Sequence, residues 1–239
     1  MKFLKSQTRG GGRTLGSAPA FTLAEVLVTL GIIGVVSAMT VPSLMQNHQR
    51  KTYVTQLHKV YNEIQQAAMQ YQNDRNAVNL VEAGLNSQDA ANNFIETYFK
   101  VVNKCDNLSG CFADSYKKIS GADAGIGDYS SYVIASGAAL RPAYNRVDDS
   151  VISFLVDVNG KQGPNIAGRD LFIMCLYNNG VLDDANYNID DDGNTVNFSG
   201  APSEEERNDL FNSQCISSNS DGISGCFGKI LNDNWEMTY

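Results

Sequence analysis

Between Phe21 and Met45 the chain reads FTLAEVLVTLGIIGVVSAMTVPSLM, a run of twenty-five residues whose single formal charge is Glu25. A helix rises about 1.5 Å per residue, so a segment of this length crosses a hydrocarbon core of roughly 30 Å. The run is long enough to cross a membrane once. Residues 1–20, which precede it, are polar and basic, with Lys2, Lys5, Arg9 and Arg13 and a Gly10-Gly11-Gly12 stretch. An ordinary secretory signal has the opposite order, a shorter apolar stretch followed by small residues at the cut. Here the small residues Ser17-Ala18-Pro19-Ala20 come first. Cleavage between Ala20 and Phe21 leaves the apolar helix as the first element of the mature chain. The basic leader favours the cytoplasmic side and sends the rest outward, although Arg50 and Lys51, just past the span, act against that bias.

Glu25 is the residue this arrangement has to explain. A carboxylate inside an apolar span costs roughly 2.5–3.5 kcal/mol on insertion scales and marks a partner or a functional site. The cut before Phe21 would create a free α-amine four residues away, and in an array of identical helices that amine can sit beside a neighbour's Glu25. The alternative is that Glu25 lies near the interface and reaches water.

Phe21-Thr22-Leu23-Ala24-Glu25-Val26-Leu27, followed by Gly34 and Pro42, resembles the N-terminal signature of type IV pilins and type II secretion pseudopilins. The resemblance covers about 25 residues and implies a specific set of roles. A prepilin peptidase would cut before Phe21 and methylate it, Glu25 would be the assembly glutamate, and Pro42 would bend the helix near its membrane exit. The implied partners are like or related pilin subunits and an inner-membrane assembly platform. Ala20 departs from the glycine that the family prefers before the cut.

Beyond Pro42 the residues Val54, Leu57, Tyr61, Ile64, Ala68 and Tyr71 recur at steps of three and four, which predicts that the helix continues with one apolar face. Asn73-Asp74-Arg75-Asn76 interrupts the pattern. A second helix is predicted over residues 87–101, with Ser87 as N-cap and Phe94, Ile95, Tyr98 and Phe99 on one side. Three strands follow: Tyr132 to Ala135, Val151 to Val156, and Leu171 to Tyr177. The expected class is α+β, pilin-like, a long N-terminal helix packed on an antiparallel sheet. The expected organisation is a leader over 1–20, a helix over 21–73 that spans the membrane over 21–45, and a head over 74–239.

The formal charge is −8; 18 basic residues less the four in the leader leave 14 against 26 acidic, a balance of −12. So acidic a body argues against nucleic-acid binding by bulk charge. Cys105 with Cys111 and Cys215 with Cys226 each enclose a short loop, which suits disulfides and an oxidising compartment. Zinc is the competing reading, but no pair is a CxxC and His48 and His58 lie far upstream. Cys175 sits in an apolar run and reads as a buried free thiol. Leu108-Ser109-Gly110-Cys111-Phe112 is weakly echoed by Ile223-Ser224-Gly225-Cys226-Phe227. The C-terminal stretch reads as a stapled end that returns to the body, with Trp235 as a packing anchor or a surface contact.

Two loops carry oxygen ligands. Asp157, Asn159, Asn165 and Asp170 lie in DVNGKQGPNIAGRD, similar to a DxNGxxGPNxxGxD loop of pilin-like proteins, and are candidate calcium ligands. The same residues also suit a hairpin whose Asn-Gly and Gly-Pro-Asn corners hold turn geometry. Asp190-Asp191-Asp192-Gly193-Asn194 is a second acidic turn. No GxSxG, HExxH or phosphate-binding glycine loop is present, so an anchored enzyme has no motif behind it. The expected function is a filament subunit that requires no cofactor. The alternative is a minor tip pilin, a membrane-tethered module that binds a surface, a secreted substrate or DNA.

Overall fold

The computed structural model describes residues 21–189, 195–197, 200–220 and 222–239. The chain divides into two units after Gln46. The first contains the start of helix α1 (Leu23–Asp74), apolar enough to cross a membrane, with a mean hydropathy of 2.0 in its most apolar window and no buried residue there. The second, residues 47–239, contains the rest of α1 and everything after it. In this half Val54, Leu57, Val60, Ile64, Ala67, Ala68 and Tyr71 are buried. They follow the apolar periodicity of the sequence, except that Tyr61 is half-buried. Each of the buried valine, leucine and isoleucine side chains contributes about 1.5–3 kcal/mol. The helix stops at Asp74, within the polar cluster, and Asn76 turns the chain with φ +49°.

Helix α2 (Gln88–Tyr98) begins where Ser87 caps it, the Ser87 Oγ accepting from the Ala90 N–H at 3.1 Å. It ends three residues sooner than the periodicity predicts. Phe99 is already extended, and Val101 opens β1 (Val101–Cys105), because the β-branched pair Val101-Val102 is taken by the sheet.

The sheet uses β1, β2 (Lys117–Lys118), β3 (Ser131–Ile134), β4 (Ala139–Val147), β5 (Ser150–Asp157), β6 (Ile166–Ala167), β7 (Leu171–Tyr177) and β8 (Leu182–Asp183). The order is β1-β3-β4-β5-β7-β6-β2, with β8 pairing β7. All pairings are antiparallel except the short β6–β7 and β2–β6 contacts, so the antiparallel expectation holds for the body of the sheet and not for that edge. β9 (Tyr187–Ile189) and β10 (Thr195–Asn197) form a separate hairpin. The chain closes with α3 (Glu204–Leu210), a π-helical turn over Phe211–Cys215, and α4 (Cys226–Asn232).

Besides β1, whose first residue the periodicity assigned to the second helix, β4 is the long strand without a counterpart in the sequence reading, and Pro142 explains why. Proline lacks the N–H that a central strand needs. Here β3 pairs only with Ala139 and Leu140, and beyond them the side chain of Gln88 takes the place of a strand. Its Nε2 donates to the Pro142 carbonyl at 3.0 Å, and its Oε1 accepts the Tyr144 N–H at 2.8 Å. Both faces of the sheet are covered. Phe154 and Val156 join the core under α1 and α2, whereas Leu155 joins a second cluster with Leu108, Cys111, Phe112 and Tyr116.

Candidate functional site

The N-terminal segment is the candidate site for assembly. Ala20 lies outside the described residues, while Phe21 is 86% exposed and stands two residues before the first helical position, Leu23. Glu25 turns back on Thr22. Its Oε2 accepts the Thr22 N–H and the Thr22 hydroxyl, each at 2.8 Å, while Thr22 Oγ1 accepts the Glu25 N–H at 3.2 Å. This is a reciprocal capping box, and a carboxylate there also meets the positive end of the helix dipole. Within one chain Glu25 therefore has hydrogen-bond partners, although no cation pairs with it among the described residues. The signal was present in the sequence as Thr22-x-x-Glu25 ahead of an apolar run. Pro42 lies inside α1, which continues through it to Asp74.

Both cysteine pairs form disulfides, Cys105–Cys111 and Cys215–Cys226, and Cys175 is free and buried. Burial, followed by the nearby Asp184 charge, pushes the Cys175 thiol up to about 12, which leaves it protonated and inert. The echoed Ser-Gly-Cys-Phe segments share a physical reason. A side chain on Gly110 would meet Cys105 Sγ at 2.6 Å, and one on Gly225, at φ +86°, would meet the Phe211 nitrogen at 2.2 Å. In both places the chain before a disulfide cysteine presses against the segment that carries its partner.

The loop from Asp157 to Asp170 closes on itself. Asp157 Oδ1 accepts the Asn159 N–H at 3.1 Å and its Oδ2 accepts the Tyr116 hydroxyl at 2.5 Å. Asp170 receives the N–H groups of Asn165 at 2.8 Å and Ile166 at 2.7 Å. Both carboxyl groups are fully buried. Burial pushes Asp157 up to about 7, opposed by the Tyr116 hydrogen bond and reinforced by the Asp170 charge. Asn159 Oδ1 and Asn165 Oδ1 are buried and have no hydrogen-bond partner. The four sequence candidates thus share one loop, but every carboxylate oxygen already has an in-loop or Tyr116 donor. Calcium takes six to eight oxygens. No cluster of three His, Cys, Asp or Glu side chains gathers among the described residues. The second acidic turn, Asp190 to Asn194, lies outside them.

The C-terminal region is organised by two neighbouring acids that the sequence reading passed over. Asp183 pairs with Arg207, whose Nε donates to Oδ1 at 2.8 Å. Asp184 is fully buried and accepts the N–H groups of Ala185 at 2.7 Å, Gly225 at 2.8 Å and Gly228 at 2.6 Å. It thereby holds the start of α4 beside Cys226. Trp235 adopts φ +62°, a conformation costly for a bulky residue. It stacks on His58 with ring centroids 4.0 Å apart and meets Tyr61 edge-on at 5.0 Å. It is the packing anchor expected of it. Comparison of the chain with protein-family models, with curated proteins and with solved structures finds no match.

Proposed function

We propose that this chain is a structural subunit of a type IV pilus or a type II secretion pseudopilus-like filament, held in the membrane by α1 until it is assembled. The supporting observation is the division of labour along one unbroken helix, whose first half is apolar and exposed and whose second half belongs to the core of the head. A helix built this way joins an anchor to a folded domain without a linker. In this reading a prepilin peptidase cuts between Ala20 and Phe21, and the new α-amine of one subunit meets Glu25 of the next. Pro42 redirects the helix where it leaves the membrane, and the two disulfides suit a head on the oxidising side. The chain acts by assembly, not catalysis, and needs no cofactor. A calcium ion taken by the 157–170 loop would be held through Asn159 and Asn165, with Asp157 and Asp170 supplying charge, and would stiffen the loop.

The test is N-terminal mass spectrometry of the protein from a host that has the peptidase. A terminus at methylated Phe21 is expected. An intact Met1 on membrane-bound protein overturns the reading.

A further inference from the structure

The chain carries a charge pattern along α1 that filament assembly leaves unexplained. From Val26 to Asn62 there is no Asp or Glu, and the only Lys or Arg residues are Arg50, Lys51 and Lys59. The processed protein is otherwise strongly acidic. Arg50 and Lys51 also oppose the topology that the basic leader favours, so their position needs another reason. They line an open groove of about 560 Å³ on the head, together with Val54, Trp235, Met237 and a single acid, Glu236. Neither Arg50 nor Lys51 forms an ion pair among the described residues. Burial, and after it the nearby Arg50 charge, hold the Arg169 guanidinium below its usual range. Arg169 itself donates to the Tyr239 carbonyl at 2.7 Å, which leaves the Arg50 and Lys51 charges as the groove's own.

We infer that this groove binds the phosphate headgroup of an anionic phospholipid while the subunit waits in the membrane. Charge complementarity favours that occupant: two cations without paired acids, beside an indole and a thioether, match a phosphate above acyl chains. The tether favours it as well. Arg50 follows Met45, the last residue of the apolar run, by five positions, so the chain keeps it within reach of the headgroup layer whatever the tilt of the span. The inference rests on the membrane-anchored reading above.

Trp235 is the only tryptophan in the chain, so its emission reports on the groove directly. The full chain is placed in bilayer discs of phosphatidylcholine, or of phosphatidylcholine mixed equally with phosphatidylglycerol, each doped with a lipid that carries a nitroxide quencher on its headgroup. Resistance to alkaline extraction from matching vesicles establishes separately that the chain is inserted. Stronger quenching in the anionic discs is expected, weakened by salt and not competed by millimolar inorganic phosphate. Neutralising each cation should lower the docked-to-free ratio about five-fold at low salt, hence roughly twenty-five-fold for Arg50→Gln/Lys51→Gln. Lys59→Gln, which removes the same charge outside the groove, should change it far less. Equal quenching of an inserted chain in the two lipids overturns the inference, as does competition by free phosphate. Quenching that tracks the number of chains per disc instead of the lipid assigns the groove to a second copy and also overturns it. A chain that alkali extracts fails the anchored reading itself.

Discussion

The carboxylate of Glu25 accepts both the backbone N–H and the hydroxyl of Thr22 at 2.8 Å, so the one acid of the apolar run caps the helix that carries it. The cap and the proposed assembly role make separable demands. Glu25→Ala or Glu25→Val should insert normally yet be lost from, or strongly reduced in, filaments. Thr22→Val, which costs the helix about 1 kcal/mol of capping but keeps the charge, should still assemble. Filament yield per inserted subunit, by quantitative immunoblot of sheared fibres, decides it. Equal loss in both variants would reduce Glu25 to a cap.

Asp184 answers three buried N–H groups, and Gly225 supplies one of them from a conformation with no room for a side chain. Asp184→Ala leaves those donors without a partner and should lower the unfolding free energy by about 3–5 kcal/mol. Gly225→Ala should cost at least about 3 kcal/mol, since its new methyl would overlap the Phe211 backbone. Denaturant unfolding of the full chain in detergent, followed by near-UV circular dichroism, measures both. Losses under 1 kcal/mol would show that the C-terminal region folds without this clamp.

Much of this architecture was readable in advance. The apolar run, the periodicity from Val54 to Tyr71 and the Ser87 cap each depend on neighbours in sequence, and all three appear where expected. Both disulfides also lay between near neighbours. What escaped was fixed by residues far apart. β4 is allowed to contain Pro142 only because Gln88, fifty-four positions earlier, bonds its open edge. Asp183 and Asp184 look like surface acids until Arg207 and the Gly225–Gly228 segment close over them. At the candidate site, the ligand-rich spelling of the 157–170 loop said nothing of Tyr116, whose hydroxyl reaches Asp157 from another part of the chain.

Asp157 gives the head an unusual pH dependence. A carboxyl held up to about 7 keeps its proton more tightly in the folded state than in the unfolded one. Its contribution is complete below the unfolded value of about 4 and is lost as the pH rises through the folded value. The full chain should therefore lose up to about 4 kcal/mol from this group between those limits. Asp157→Asn should flatten that part of the profile. Urea unfolding at pH 5 and pH 8 distinguishes the two proteins, and a wild-type profile that rises across this range would refute the assignment.

Calcium is expected to leave the melting temperature of the head unchanged, because the carboxylates of the 157–170 loop are already hydrogen-bonded from within and by Tyr116. Differential scanning fluorimetry with calcium or with a chelator tests this. A rise that disappears in the Asn159→Ala/Asn165→Ala variant would instead assign the ion to the two unpartnered amide oxygens.

The continuity of α1 from Leu23 to Asp74 has a mechanical meaning. Tension applied to the apolar end is delivered along the helix axis to Val54, Leu57, Ile64 and Tyr71, all part of the head's core. Pulling the anchor out of the head would require these side chains to shear free together, since no loop intervenes to stretch first. A chain with this design carries load from its apolar end straight into the core and yields only when its fold does.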